Sequence, residues 1–447
     1  MSKLDSSVYR NGFHFVHERS LHKLPLCSIH LFCDVGSSFE TDDLRGITHL
    51  LEHMLFQGTK KKDAYEIMRE YDRIGAEFNA FTAKRFTCFY VKCHIDHAKR
   101  VIDLFTDIMK NSRLSEKRIE QEEQVVRQEN HTRVNNFPIT ALDEFERSIY
   151  KNSSFEYPID HVDYHKKKAS IRDKLVKWYH WFYKPSNMVL SVVSNKKTDF
   201  WLKMLHKSDF TKPFESIKKP EYALSFPLTD NTDFDTEVVI SHNKSANRDY
   251  IVIGFRTVNQ YSEKKYIFNL LTHILNGMSG RLFKLLRQEN NLVYGVQAST
   301  EEQEYTGYFS ISTDVNKNDL KKVVTILIAM YEDIFKNGIQ DEEFQTGLSR
   351  CRGMHDIDSE DSNTMSKYNG VEYLLYMREP DYPRERKKES FTSYEDLFEK
   401  HYENITLVQL NSAIQEYFRR QNMVLSIVSS NDVNLERVHK WTQTYLQ

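Results

Sequence analysis

The chain has 447 residues, length enough for about two to four domains. Its 62 Lys and Arg against 64 Asp and Glu leave a formal charge of −2, so charge gives no bulk reason to expect nucleic acid or an anionic membrane as partner. With 40% apolar residues, 14 Gly and 9 Pro, a disordered, collagenous or low-complexity chain is excluded, and no apolar run approaches the ~20 residues of a membrane span.

In chain order, Phe13–Val16 and Ser28–Phe32 read as strands. Ile47–Leu55 reads as an amphipathic helix, with Ile47, Leu50, Leu51, Met54 and Leu55 on one stripe. Lys62–Ile74 follows as a helix and Phe86–Val91 as a strand. His97–Lys110 and Glu116–Arg133 are again helical, the second dense in Glu and Gln around Ile119, Val125 and Val126. Asn187–Ser194 is a β-branched, strand-like run that returns almost letter for letter as Asn422–Ser429, with seven of eight positions identical. A second echo lays Ile47–Leu55 on Ile267–Leu275, 220 residues on. Two homologous halves are therefore expected, too long for solenoid units. Pro213, Pro220 and Pro227, followed by the Asp- and Thr-rich stretch 229–235, mark an extended connection. The reading is domain 1–212, linker 213–236 and domain 237–447. Mixed strands and helices in each half give an α+β fold of layered domains, not a bundle or sandwich.

The chemistry gathers on the first amphipathic helix. His49, Glu52 and His53 form an H-x-x-E-H pentad on the face opposite the apolar stripe. The two imidazoles stand one turn apart and can reach one cation, with Glu52 beside them. A zinc site of this kind takes two or three neutral nitrogens, a carboxylate and an open position for water. A neighbouring carboxylate can take the proton of that water. Alone, the pentad arises by chance in roughly one of twenty chains of this length and composition. A third ligand is needed, and Glu129 lies 76 residues after His53, with Glu122 one heptad earlier on the same helix face. One of the two can ligate and the other can orient a ligand histidine.

These residues resemble a known family, the zinc metallopeptidases of pitrilysin, insulysin and the mitochondrial processing peptidase β subunit, in their short two-domain form. The blocks Asp34–Glu40, Gly46–Thr59 and Gly75–Thr82 fit it in order, and the pentad with a Glu about 76 residues on is its inverted-zincin signature. The resemblance implies His49, His53 and Glu129 as ligands of one Zn²⁺ per chain, Glu52 as general base and Glu122 as the supporting carboxylate. It implies that Gly75–Thr82 is an edge strand which a peptide joins by β-augmentation, with Asn79, Ala80 and Phe81 facing it. It matches Phe283–Gly295 to an Arg–Tyr block, so that Arg287 and Tyr294 would contact the peptide near the scissile bond. Arg281 is the residue most easily confused with Arg287. Without the resemblance, Arg287 reads as a helix-end arginine and Tyr294 as a buried strand tyrosine. The fold it implies is two domains with antiparallel-rich sheets packed by helices, forming half of a clamshell chamber. A homodimer, or a heterodimer with a related subunit, would complete that chamber.

The second half is a contrast. On the 220-residue offset, His49, Glu52, His53 and Glu129 meet Asn269, Thr272, His273 and Ser349. Only one of four positions is kept, so the metal chemistry is expected in the first half alone. The function expected is a zinc endopeptidase acting on peptides or short unfolded segments. The rival is a noncatalytic core or scaffold subunit, which in this family usually lacks ligand or base residues. Five cysteines without paired spacing fit buried thiols in a reducing compartment. The N-terminus has neither the apolar core of a signal peptide nor an Arg-rich transit pattern, so an intracellular, cytoplasmic protein is expected.

Overall fold

The structure, a computed structural model, describes residues 4–20, 23–162, 170–216, 236–377 and 391–442. Of the expected linker 213–236, residues 217–235 lie outside the described residues. The chain divides into two compact units.

The first unit is built on six strands: β1 (Leu4–Val8), β2 (His14–Arg19), β3 (Leu26–Cys33), β4 (Glu77–Thr82), β5 (Thr87–His94) and β6 (Met188–Ser194). Their order is β1-β2-β6-β3-β5-β4, antiparallel except for β2 beside β6. The second unit has five: β7 (Glu237–His242), β8 (Asp249–Thr257), β9 (Val296–Glu302), β10 (Gly307–Val315) and β11 (Met423–Ser429), in the order β7-β11-β8-β10-β9. Here β7 and β11 are the parallel pair. Apart from the extra β1, the two orders are the same, so the duplication legible in the sequence is a duplication of topology. The repeated eight-residue run supplies β6 and β11, both internal strands and both buried throughout. That position explains the run's composition, since a strand covered on both faces is apolar and β-branched along its whole length.

Alternation along each strand sends neighbours to opposite faces. Phe15, Leu31, Phe89 and Leu190 enter the larger core, where helices Ile47–Leu55, Ala98–Asn111 and Ile171–Phe182 bury Leu50, Leu51, Phe105 and Trp178. Val16, Phe32, Cys88 and Val189 enter a second, smaller core on the other face.

What covers that second face differs from a contiguous 1–212 domain. Tyr373 and Leu374 of helix Ser362–Met377 close it, and residues 356–377 and 391–397 belong to the first unit. The approach is so close that a Cβ on Gly370 would lie 2.1 Å from the Phe32 ring. Reciprocally, residues 131–157 belong to the second unit. There Ala141, Phe145 and Ile149 of helix Phe137–Ile149 pack on Val252, Tyr308, Val424 and Val428 of the second sheet. The repeat runs along the chain in two contiguous stretches, but each compact unit takes one helical segment from the other stretch. All five cysteines are buried free thiols, and no helix among the described residues is long and apolar enough to cross a membrane.

Candidate metal centre

Helix Ile47–Leu55 has its apolar stripe wholly inside. Its polar side does not face open solvent. Glu52 is only 7% exposed, and the side chains of His49 and His53 are 17% exposed. The helix starts from Gly46 in the left-handed region, φ +86°. Its first N–H groups, which no earlier turn can satisfy, are met by Glu40. That carboxylate accepts from Gly46 N at 2.7 Å and from Thr48 N at 2.8 Å. Burial pushes the Glu40 carboxyl up to about 7 despite these donors and the nearby Arg45. Sequence reasoning gave Glu40 no role. A cap normally stands directly before its helix, whereas Glu40 comes from six residues upstream through the turn Ser37–Phe39.

The same turn fixes the β4–β5 hairpin. Ser37 N and Ser38 N donate to Ala83 O and Lys84 O. Gly36 permits the approach, since a Cβ there would fall 2.3 Å from Ala83 O. The hairpin sets β4 as the outermost strand, paired only with β5 among the described strands. Asn79, Ala80 and Phe81 all lie on it. Asn79 is exposed and its Oδ1 accepts from Ala80 N at 2.8 Å. The Phe81 ring packs away from the large core, near Phe86 and Tyr90. Thr82, the last residue of β4, donates from Oγ1 to Glu52 Oε2 at 2.7 Å. Sequence reasoning missed this contact, because no local signal joins residue 82 to residue 52.

Helix Glu116–Val134 brings the remaining carboxylates. Ile119 and Val126 anchor it in the core, which turns Glu122 and Glu129 toward the motif helix. Glu122 Oε2 lies 3.3 Å from His53 Nδ1. Glu129 Oε2 lies 3.4 Å from His53 Nε2 and 3.7 Å from His49 Nε2, and the two Nε2 atoms are 3.3 Å apart. Donors around a tetrahedral ion with bonds near 2.1 Å should stand about 3.4 Å from one another. Two imidazole nitrogens and a carboxylate oxygen with edges of 3.3, 3.4 and 3.7 Å therefore fit Zn²⁺ in both chemistry and spacing. Among the described residues, no other group of three or more His, Cys, Asp or Glu donors converges in this way.

The field at the site is negative. Burial pulls His53 toward its neutral form, but the Glu122 hydrogen bond and the charges of Glu129 and Glu52 outweigh it and leave its pKa raised. Glu52 is raised too, by burial first, with the Thr82 hydrogen bond and His53 opposing and Glu129 adding to the rise. Packed carboxylates and imidazoles of this kind are what a divalent cation would neutralise.

The structure brings Arg287 and Tyr294 together, in the second unit. Arg287 Nη1 donates to Tyr294 O at 2.8 Å, and the guanidinium stands 5.1 Å from the Phe283 ring and 5.2 Å from the Tyr294 ring. Tyr294 is 80% exposed and precedes β9, so it is not the buried strand tyrosine that its local sequence suggests. An exposed ring before a strand has no packing role, and its stacking partner is the guanidinium. Arg281 is a different residue altogether. Its guanidinium is held by Glu343, Asp333 and Gly338 O, which makes it a structural anchor. At the positions that echo the pentad, Asn269 accepts from Tyr402 Oη at 2.7 Å and Thr272 Oγ1 donates to Asn269 O at 2.7 Å. Both are engaged in internal hydrogen bonds.

Comparison with known proteins adds the family. Residues 16–160 match the family model for insulinase, peptidase family M16, and residues 170–350 match the model for the peptidase M16 inactive domain. The chain belongs to the M16 family. The inactive-domain model falls largely on the half that has lost three of the four pentad-and-glutamate positions. A Bacillus subtilis protein named as an uncharacterized zinc protease, YmxG, is 29% identical over 350 residues, 78% of this chain and 83% of its own. A zinc protease of Rickettsia felis, likewise named uncharacterized, is 29% identical over 318 residues, 69% of this chain and 73% of its own. The crystal structure of a protease from Helicobacter pylori superposes with a TM-score of 0.81 at 20% identity, covering 96% of this chain and 100% of that one. The periplasmic protease PqqL from Escherichia coli gives 0.79 at 15% identity, covering 99% of this M16 chain but 50% of its own. These two likenesses show a shared fold.

Proposed function

We propose that this M16 protein is a zinc-dependent endopeptidase that hydrolyses peptides or short unfolded segments. One observation carries the reading: His49 Nε2, His53 Nε2 and Glu129 Oε2 converge at ion-binding spacing with the carboxylate of Glu52 beside them on the same helix. One Zn²⁺ bound there would lower the pKa of a coordinated water and polarise a peptide carbonyl. Glu52 takes a proton from the attacking water and returns it to the leaving amine. Glu122 keeps the His53 imidazole oriented through Nδ1. An extended peptide docks along Asn79, Ala80 and Phe81 of β4, where the outward-facing backbone groups of Ala80 can pair with it. Arg287 and the exposed Tyr294 hydroxyl offer donors to peptide carbonyls, including the one that gains negative charge.

The expected result is cleavage of an unstructured peptide panel by the purified protein with one zinc per chain, lost on chelation and regained with zinc. Glu52→Gln should keep the metal and lose ~10²- to 10⁴-fold in turnover. A zinc-loaded parent that cleaves nothing on the panel would instead assign the protein to the noncatalytic subunits. A Glu52→Gln variant as fast as the parent would remove Glu52 as the base.

We also propose that two copies associate. The Escherichia coli neighbour carries about twice this length in one chain, and a pair of these chains would match it. Light scattering should give twice the chain mass of 53.1 kDa; a monomer at working concentration rejects the pairing.

A further inference from the structure

Thr82 ends the outer strand β4 and touches Glu52. Both residues are buried, at 9% and 7% exposure. The Glu52 carboxylate receives the Thr82 hydroxyl at 2.7 Å, and the Thr82 backbone N–H adds an electrostatic pull on the same carboxylate. Ala83 N donates across the hairpin to Phe86 O, so strand alternation directs the Thr82 and Ala80 N–H groups away from β5. On that open edge the Ala80 N–H is held by the Asn79 side chain, while the Thr82 side chain is committed to Glu52. A peptide carbonyl can replace the Asn79 amide oxygen at Ala80. The Thr82 hydroxyl stays on Glu52.

We propose that Thr82 is a positioning residue that fixes the Glu52 carboxylate to the strand on which the peptide docks, so that base and peptide share one frame. The inference rests on Glu52 acting as the base. A glutamate side chain has three rotatable bonds, and a donor fixed on a sheet strand removes much of that freedom. A hydroxyl that merely satisfied a buried carboxylate would matter for stability. A hydroxyl that aims the base matters for turnover.

The test uses zinc-loaded, full-length protein. Thr82→Val keeps the shape and the backbone donor and removes the hydroxyl. It should lower kcat by ~10- to 100-fold, the cost of misplacing a reacting group by about 1 Å. KM, zinc content and the affinity for a peptide with a non-hydrolysable linkage should stay as in the parent. Thr82→Ser, which restores the hydroxyl, should recover kcat. In a crystal structure of Thr82→Val the Glu52 carboxylate should be displaced or occupy several rotamers. Parental kcat in Thr82→Val overturns the proposal, as does Thr82→Ser no faster than Thr82→Val, or a loss confined to KM. If Thr82→Val does not fold, Thr82→Ala and Thr82→Ser decide, since equal rates in the two overturn it. If the parent cleaves nothing, the proposed function fails by itself, and the Glu52 position in Thr82→Val still decides: unmoved overturns the inference, displaced supports it.

Discussion

The His53 imidazole is held at both nitrogens. Nδ1 faces Glu122 Oε2 at 3.3 Å, while Nε2 faces His49 Nε2 and Glu129 Oε2. A proton kept on Nδ1 by the carboxylate leaves the Nε2 lone pair toward the other donors, the tautomer a metal needs. Glu122→Gln should therefore weaken zinc by ~10- to 100-fold while leaving the fold intact. Competition with a chromophoric chelator measures it, and unchanged affinity would show that His53 needs no orienting carboxylate. Spacing showed that Glu122 and Glu129 share a helix face. It did not say which carboxylate ligates, because the two are seven residues apart and equivalent along the helix. The packing of Ile119 and Val126 sets which end of the helix reaches the histidines.

The motif helix is short, nine residues, too short to be stable by its own hydrogen bonds. Its apolar stripe and the Glu40 carboxylate hold it. Glu40→Ala would leave two buried N–H groups of Gly46 and Thr48 without their acceptor, at a cost of about 2–4 kcal/mol. Chemical denaturation of the metal-free protein should show that loss, and zinc affinity should fall as well, because His49 directly follows Thr48. Stability equal to the parent would mean that water replaces the carboxylate. The sequence marked Ile47–Leu55 as a helix through its periodicity. The carboxylate that anchors its start arrives through a turn that only the folded loop creates.

Acid should destabilise the whole molecule partly through His30 in the first sheet. Burial, with Lys367 adding, lowers His30 from the usual 6.5 to about 3. Between those values the unfolded chain binds a proton that the folded chain refuses. Its contribution to stability is therefore complete above pH 6.5 and declines as pH falls toward 3, by ~1.4 kcal/mol per pH unit. His30 stacks on Tyr90 with ring centroids 5.2 Å apart, and His30→Phe keeps a stacking ring without the titration. Equilibrium unfolding from pH 6.5 to 4 should show a shallower loss in His30→Phe than in the parent. Equal slopes would mean that His30 is protonated in the fold.

The sequence by itself determined what local order can encode. The pentad puts three polar groups on one face of one helix, and two near-identical runs become the internal strands β6 and β11. Glu129 stands on a helix whose Ile119 and Val126 face inward, while Val125 stays exposed. Periodicity specifies which face of an element is apolar, and in the motif helix that stripe is buried as expected. It does not specify against what. The tertiary structure decided that helix Ser362–Met377 covers the first sheet and helix Phe137–Ile149 the second, since an apolar stripe fits either sheet face. It also separated Arg281, fastened by Glu343 and Asp333, from Arg287 beside the exposed Tyr294, and it brought Glu40 and Thr82 to the motif helix. Those contacts join residues distant in the chain through loop geometry, and no periodic signal carries them.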